Sequence, residues 1–248
     1  MINSQEFLQV AVKAAQLSGA YLFKNRAAVK IVDADKAHDI KLSIDRFSEK
    51  RIVQYLKKHS HFSILSEEAG MIKGKDKEFC WVVDPLDGTI NYFRQVPMSC
   101  VSIALCQGDQ PVLGVIYDFT RDELFTGLVG KGAYLNGRRI HVSQIKQKRH
   151  AILATGFPGQ TSLSKENLSA FCHYVRAYKK VRLLGTAALS MAYVTSGRLD
   201  AYIEKDIMFW DVAAGIAILQ AAGGQIHIKP TKRNYCYQIS THNGFLGN

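Results

Sequence analysis

Two carboxylates three residues apart follow a short apolar run in the segment WVVDPLDGT, residues 81–89. Pro85 biases Asp84 toward an extended backbone, and Gly88 allows a close turn before Thr89 opens a helix. Paired carboxylates suit a hard divalent cation such as Mg²⁺, and the free N–H groups of a helix start suit phosphate oxygens. The same string also suits a plain turn that caps a helix, so by itself it leaves both interpretations open.

Acidic residues recur at two further places that resemble element ends. Glu67 and Glu68 follow the apolar run 64–65, and Asp211 precedes an alanine-rich segment. Each has an ordinary alternative, because adjacent glutamates often lie in a solvated loop and an aspartate before a helix often caps it. The three segments therefore indicate a metal site only if the fold brings them together.

Hydrophobic periodicity predicts the elements that must position these acids. The first part is predicted to contain helices 4–23 and 43–58 and strands 79–83, 99–106, 112–118 and 123–128, with hairpin turns at 108–109 and 136–137. The second part is predicted to contain helices 164–178, 186–196 and 211–222 and strands 199–204, 225–228 and 235–240. This pattern predicts an α/β (α+β) protein with parts 1–150 and 151–248 joined in one compact unit.

The charge is unbalanced, with 32 Lys and Arg against 21 Asp and Glu and a net charge of +11 over 248 residues. Such a surplus favours an anionic partner, which could be nucleic acid, a membrane surface or a small phosphate ester. No apolar run reaches the roughly 18 residues of a membrane span, and the N-terminus lacks the pattern of a signal peptide. The five cysteines show no metal-type spacing, so we expect buried, reduced thiols in a cytoplasmic protein with no membrane partner.

Together, the three acidic segments resemble the motifs of the inositol monophosphatase family, a branch of the Mg²⁺-dependent, lithium-sensitive phosphatases. Residues 81–94 resemble its first signature and residues 210–224 its second. Other stretches that resemble the family, in its order, are 114–118, 130–137, 154–158 and 184–188, so the resemblance covers about residues 5–245. It implies a layered αβαβα sandwich with an antiparallel sheet in the first part, a smaller mixed sheet in the second, and a homodimer.

The resemblance also implies roles for particular residues. A first Mg²⁺ would be held by Glu67, Asp84 and the carbonyl of Leu86, a second by Asp84, Asp87 and Asp211, and a third in some members near Glu67. Thr89 and Asp45 would orient the attacking water, although Leu42-Ser43 stands before Asp45 where many members have Val-Thr. The substrate contacts would be Asp87, Gly88, Thr89, Gly185, Thr186, Ala187, Glu204 and Asp211. Lys41 and Asp206 are weaker candidates, because both equally suit a solvated surface.

The implied function is Mg²⁺-dependent hydrolysis of inositol monophosphate, or a related small phosphate ester, by a metal-activated water. Within the same superfamily, 3′(2′),5′-bisphosphate nucleotidase, histidinol-phosphatase and fructose-1,6-bisphosphatase remain alternatives. A different class, a nucleic-acid or transcription-complex binding protein with secondary catalysis, would also use the positive charge. However, no nucleic-acid module is recognisable, and the basic stretch 146–150 is typical of a solvated loop. The basic stretch 179–182 could cover a dimer edge or attract phosphate.

Overall fold

The computed structural model describes residues 3–27, 32–36, 39–158 and 162–246. Within 32–42 only the backbone is described, so the side chain of the candidate Lys41 lies outside the described part. The helices are α1 (Ser4–Asn25), α2 (Ser43–His59), α3 (Thr89–Phe93), α4 (Lys165–Ala177), α5 (Ala187–Thr195) and α6 (Phe209–Ala221). The strands of the first part are β1 (Val32–Lys36), β2 (Asp39–Leu42), β3 (Phe62–Ser66), β4 (Gly70–Ile72), β5 (Asp76–Asp87), β6 (Cys100–Gln107), β7 (Gln110–Asp118), β8 (Glu123–Leu128), β9 (Gly132–Leu135) and β10 (Arg138–Ile140). Those of the second are β11 (Ile152–Thr155), β12 (Lys180–Arg182), β13 (Ala201–Met208), β14 (Gln225–Pro230) and β15 (Cys236–His242).

The described strands form two large sheets and one small hairpin. Eight strands lie in the order β10-β9-β8-β7-β6-β5-β3-β4 and are antiparallel except where β3 runs parallel to β5. Five strands lie in the order β12-β11-β13-β15-β14, with β11 parallel to both of its neighbours and the other pairs antiparallel. The predicted hairpin turns at 108–109 and 136–137 are confirmed, as are the antiparallel first sheet and the smaller mixed sheet.

Four apolar clusters separate five layers. The first lies between α1, α2 and one face of the eight-stranded sheet, and the second lies between the opposite face and helices α5 and α6. The third joins those two helices to the five-stranded sheet, and the fourth places Tyr174 and Ala177 of α4 against that sheet's outer face. The αβαβα architecture is therefore confirmed. The division near residue 150 stays a prediction, since α5 and α6 pack against both sheets.

Some boundaries differ from the predicted ones for identifiable reasons. Helix α6 begins at Phe209, two residues before the predicted start at Asp211, and β13 continues to Met208 rather than ending at Glu204. Strand β5 extends through Pro85 to Asp87. Both strands contain an irregularity, between Asp84 and Asp87 and between Glu204 and Ile207, where the register shifts. Such bulges re-aim side chains and interrupt the alternation that a periodic pattern detects.

Two further expectations concern cysteines and membranes. All five cysteines are free thiols, but Cys172 is exposed and Cys80 is half-buried, so the expectation that all are buried is wrong for these two. Within the described ranges, no helix has both the length and the apolar character needed to cross a membrane.

Candidate active site

A cavity of about 320 Å³ opens where β5, α3, α5, β13 and α6 meet. Its lining contains every residue assigned to the site from the sequence except Asp45: Glu67, Asp84, Leu86, Asp87, Gly88, Thr89, Gly185, Thr186, Ala187, Glu204 and Asp211. The weaker candidate Asp206 is not among the described lining residues. The two register shifts described above both fall at this cavity, in β5 and in β13. The fold therefore brings together the three acidic segments, which are far apart in the sequence.

The end of β5 presents the first pair of acids. Asp84 is almost fully buried, and its Oδ1 accepts the backbone N–H of Leu86 at 3.0 Å. Gly88 follows with a φ of 84°, a conformation that L side chains rarely adopt. A Cβ at this position would also lie 2.7 Å from the carbonyl oxygen of Met98. Glycine is thus required for the chain to turn from Asp87 into α3.

Asp87 is held by the start of α5. Its Oδ2 accepts the backbone N–H of Ala188 at 2.8 Å, the hydroxyl of Thr186 and the thiol of Cys100 at 3.8 Å. The Thr186 hydroxyl also accepts the N–H of Leu189, so it caps α5 as well. This hydroxyl donates its only proton to Asp87, so in this structure Thr186 orients a carboxylate rather than facing the cavity as a donor.

Asp211 comes from the opposite side of the cavity, in the first turn of α6. Met208 occupies the N-cap, and its backbone N–H donates to Asp211 Oδ2 at 3.2 Å. Asp211 therefore reaches back to the N-cap from inside the helix, which differs from the capping role that its sequence context suggested. The bond fixes one carboxylate oxygen and leaves Asp211 in the cavity lining.

Burial raises the pKa values of three acids in the cavity, and neighbouring acids raise two of them further. Burial raises the pKa of Asp84 well above its ordinary value, and the neighbouring Glu67, Asp87 and Asp211 raise it further. Burial likewise raises the pKa of Asp211, with added contributions from Glu67 and Asp87. Burial raises the pKa of Asp87, although its hydrogen bonds from Thr186 and Ala188 oppose the shift. A cation in the cavity would offset this repulsion.

The donor set fits a hard cation. In the described part of the chain, no three carboxylate, imidazole or thiol side chains are arranged to hold an ion by themselves. Mg²⁺ does not need such a cage, because it keeps several waters and takes only one or two protein carboxylates. The oxygen-only lining at Glu67, Asp84, Asp87 and Asp211, without histidine, therefore suits Mg²⁺ better than zinc.

Glu204 of β13 also lines the cavity. Its side chain is buried, its Oε2 accepts the hydroxyl of Tyr202 at 2.7 Å, and burial raises its pKa to about 7. Gly156 lies directly against it, since a Cβ there would be 2.6 Å from Glu204 Oε1. The cavity thus contains a group of four acids, Glu67, Asp84, Asp87 and Asp211, and also Glu204 of β13, which can contact another part of a substrate.

Of the predicted pair Thr89 and Asp45, only Thr89 belongs to the described lining of the cavity. The Thr89 hydroxyl donates to the carbonyl of Leu86 at 3.0 Å, inside the cavity lining. Asp45 is buried in the first turn of α2 and does not belong to the described lining. The water-orienting role of these two residues stays a prediction.

Residue types alone did not reveal two contributors. The side-chain amide of Asn91 donates to the carbonyls of Leu184 and Met98, at 2.8 and 3.0 Å, and joins α3 to the segment before α5. Gly156 admits Glu204. Both lie in stretches that resemble the family, which was the only signal for them, because neither an amide nor a glycine carries chemistry of its own.

Comparisons with known proteins agree with this site. The model of the inositol monophosphatase family matches residues 3–240. An inositol-1-monophosphatase from Synechocystis is 39% identical over 223 residues, which are 89% of this chain and 78% of the relative. The Nus factor SuhB of Xylella fastidiosa is 40% identical over 88% of this chain and 80% of its own length.

A solved structure of inositol monophosphatase from Anabaena superposes with a TM-score of 0.86 and 38% identity, covering 98% of this chain and 93% of that one. The extragenic suppressor protein suhB of Bartonella henselae superposes with a TM-score of 0.90 and 34% identity, over 97% and 95% of the two chains. The chain therefore belongs to the inositol monophosphatase family and is a phosphoric monoester hydrolase.

Proposed function

We propose that the protein is a Mg²⁺-dependent phosphatase of inositol monophosphate or a closely related small phosphate ester. The observation that carries this proposal is the convergence of Glu67, Asp84, Asp87 and Asp211 on one cavity beside the Gly88 turn. Bound Mg²⁺ would supply Lewis acidity and lower the pKa of a water at the site. Its ligands would be these four carboxylates and the carbonyl of Leu86, for two or three ions.

The chain's own residues would bind and orient the ester. The N–H groups of Gly88 and Thr89 lie at the start of α3, where no intrahelical carbonyl accepts them, and they suit phosphate oxygens. Thr89 with Asp45 would orient the attacking water. Asp87 and Asp211 would add contacts near the leaving oxygen.

The alcohol part of the substrate would meet the wall formed by the start of α5 and by β13. The backbone at Gly185, Thr186 and Ala187 and the carboxyl of Glu204 line that wall. A polyhydroxylated ring such as inositol offers donors for a carboxylate and acceptors for backbone N–H groups. The names of the relatives support inositol monophosphate, while the bisphosphate nucleotide, histidinol phosphate and fructose 1,6-bisphosphate remain candidates for the same wall.

The site assignment is tested with Asp84→Asn and Asp211→Asn. Each keeps the shape but removes a negative charge next to the cation, so turnover of inositol 1-phosphate should fall by about 10²-fold or more while the far-UV spectrum is unchanged. Asp109→Asn, in the exposed turn between β6 and β7, is the matched control and should keep full activity. Wild-type turnover by either cavity variant would refute the assignment.

The substrate and the ions are tested together. A panel of inositol 1-phosphate, 3′-phosphoadenosine 5′-phosphate, histidinol phosphate and fructose 1,6-bisphosphate should give the highest kcat/KM for the inositol ester. Activity should vanish with chelator and return with Mg²⁺, and Li⁺ should inhibit when titrated at fixed Mg²⁺. A higher kcat/KM for another ester would reassign the substrate without changing the metal site.

We also propose a cytoplasmic homodimer. Exposed apolar side chains at Ile90, Val96 and Leu183 lie on the segments near the mouth of the cavity, and a second copy would cover such residues. The free cysteines agree with a reducing compartment. Light scattering of the purified chain at micromolar concentration would show whether the mass is twice that of one chain.

A second candidate function is participation in a transcription complex, since several relatives are named Nus factor SuhB. The observation that favours it is that the two basic stretches meet. The N–H of Lys179 donates to the carbonyls of Lys148 and Ala151, at 3.2 and 3.0 Å, so residues 146–150 and 179–182 form one exposed patch without an acidic residue in either stretch. Such a patch suits an RNA backbone.

This second role is tested by RNA binding at several salt concentrations. Lys180→Glu with Arg182→Glu should weaken binding and reduce its salt dependence, while Asp84→Asn should leave binding unchanged. Absence of RNA binding by the wild-type protein at low salt would exclude the role for this patch.

A further inference from the structure

Helix α2 turns a polar face into the protein. Asp45, Ser48 and Glu49 are spaced three and four residues apart, so they share one face, and all three are buried. Buried polar side chains cost free energy unless they are hydrogen-bonded, so such a face needs a purpose other than packing. The contacts of Ser48 and Glu49 show where that face is directed.

Glu49 spans the turn that presents Glu67. Its Oε1 accepts the backbone N–H of Ala69 at 2.9 Å and also the hydroxyl of Ser66. These two partners lie on either side of Glu67 and Glu68. A single carboxylate oxygen thus holds both ends of the four-residue segment 66–69, from the last residue of β3 to the residue before β4.

Ser48 holds the other acidic segment. Its hydroxyl donates to the carbonyl of Pro85 at 2.8 Å, and its oxygen pairs with the hydroxyl of Ser18 on α1. Pro85 stands between Asp84 and Leu86, two predicted metal ligands. Ser48 and Glu49, adjacent in one helical turn, therefore hydrogen-bond to the two segments that would supply the ligands of the first metal ion.

We propose that Glu49 is a positioning residue for the metal site, with Ser48 as its companion, and that α2 fixes the distance between Glu67 and Asp84. This inference rests on the proposed Mg²⁺ function. Outer groups that orient metal ligands typically contribute a factor of about 10–100 in metal affinity. A merely structural role for Glu49 would lower stability but leave the affinity for the ion unchanged in the folded protein.

The test compares Glu49→Ala with Glu49→Gln in the full-length protein. Alanine removes the acceptor, whereas the Gln amide oxygen can occupy the position of Oε1 and accept both bonds. Direct Mn²⁺ binding, measured by electron paramagnetic resonance, should weaken by about 10–100-fold in Glu49→Ala and by only a few-fold in Glu49→Gln. The Mg²⁺ concentration for half-maximal activity should move in parallel.

A matched control separates positioning from general destabilisation. Ser60 directly follows α2 and accepts the indole N–H of Trp81 at 2.9 Å, three residues before Asp84 in β5 and outside the cavity lining. Ser60→Ala should lower Tm and leave Mn²⁺ binding unchanged. Equal weakening of Mn²⁺ binding by Ser60→Ala and Glu49→Ala would overturn the positioning role.

A measurement in chelator keeps this inference distinguishable from the Mg²⁺ proposal. Hydrogen exchange of the Ala69 amide should accelerate in Glu49→Ala and stay near the wild-type rate in Glu49→Gln. Unchanged exchange in Glu49→Ala would refute the contact itself, and unchanged Mn²⁺ affinity would refute its effect on the site. A wild-type protein that binds no Mn²⁺ would instead refute the proposed metal function and this role with it.

Discussion

Glu204 shows how a single residue can carry a conditional charge. Burial raises its pKa to about 7, although the hydrogen bond from Tyr202 lowers it and nearby Asp87 raises it. Near neutral pH the group therefore exchanges its proton within the range where the enzyme would work. The ionised form of Glu204 suits a hydroxyl donor of the substrate. The neutral form has the lower cost of burial when no such donor is bound.

The first prediction concerns stability and pH at this residue. Because the pKa of Glu204 is raised in the folded state, its contribution to the free energy of unfolding is fully present below about pH 4.5 and is lost as pH rises through about 7. Glu204→Gln removes this loss and keeps an acceptor for Tyr202. Urea unfolding in chelator should show the variant gaining on the wild-type protein by up to about 3 kcal/mol as pH rises from about 5 to about 8. A difference that stays flat across that range would contradict the raised pKa.

The second prediction concerns the glycine that faces Glu204. In Gly156→Ala the new Cβ would meet both carboxylate oxygens, at 2.6 and 2.8 Å, so Glu204 must move. If Glu204 contacts the alcohol part, KM for inositol 1-phosphate should rise by about 10-fold, while KM for para-nitrophenyl phosphate, which lacks ring hydroxyls, should change little. Equal losses on both esters would show that the substitution damages the phosphate side instead.

The chemistry of the site was predictable at this scale because the three acidic segments together resemble the motifs of one family, although each segment alone had an ordinary alternative. The sequence predicted that Glu67, Asp84, Asp87 and Asp211 would meet, and they line one cavity. It did not predict that the Thr186 hydroxyl would be committed to Asp87, because that bond depends on the exact approach of α5 to β5. Sequence spacing carries no information about such distances between layers.

At the scale of elements, α6 connects the site to the core. It begins at Phe209 with Asp211 in its first turn and continues through the buried face between the two sheets. It lies unusually close to the large sheet, since a Cβ on Gly114 of β7 would be 2.2 Å from the carbonyl oxygen of Ala214. The position of Asp211 therefore depends on a glycine one layer away.

The third prediction follows from that close contact. Gly114→Ala should destabilise the protein by about 1–3 kcal/mol or more, because the clash is with backbone that no side-chain rotation can relieve. It should also lower kcat/KM, because α6 and Asp211 move together. Urea unfolding and steady-state kinetics at saturating Mg²⁺ measure the two effects.

An ion pair between β8 of the large sheet and the segment that follows α5 provides the contrast. The Nη2 atom of Arg198 lies 2.6 Å from Oε1 of Glu123, and 40% and 18% of the two side chains are exposed. Arg198→Met should cost below about 1 kcal/mol, because exposed ion pairs contribute little. Equal losses in the free energy of unfolding for Gly114→Ala and Arg198→Met would contradict the prediction that the close contact between α6 and β7 contributes more to stability than the ion pair.

Elements were predicted best where periodicity is regular, as in α1, α2 and β8, whose bounds differ little or not at all from those expected. Several short strands, among them β3, β11 and β12, were not predicted, because three to five residues give too little periodicity. Among the strands that were predicted, the bounds differ most at β5 and β13, where bulges interrupt the alternation beside the cavity. Functional sites require such irregularities in order to aim side chains, so the errors collect where the chemistry lies. The start of α6 was misplaced because Asp211 has the sequence signature of an N-cap. In the structure Met208 is the N-cap, and Asp211 lies in the first turn and lines the cavity.

At the scale of the whole molecule, charge is distributed unevenly. The chain carries a net charge of +11, yet five carboxylates, including Glu204, are concentrated at one cavity. Bound Mg²⁺ would neutralise much of that local negative charge, so the field of the remaining protein would attract a phosphate dianion. The positive surplus then has a role in capturing substrate that needs no macromolecular partner.

The fourth prediction tests this role through ionic strength. The Debye length shortens from about 14 Å at 0.05 M salt to about 4 Å at 0.5 M, so attraction from cations beyond the cavity is largely screened. At fixed free Mg²⁺, kcat/KM for a phosphate ester should fall several-fold across this range of KCl, while kcat should change little, because screening acts on encounter and not on the bound ester. The double variant Lys180→Glu with Arg182→Glu should begin with a lower kcat/KM and show a shallower salt dependence. If kcat fell in step with kcat/KM, salt would be acting on the cavity itself, and the surplus charge would have no part in capturing the substrate.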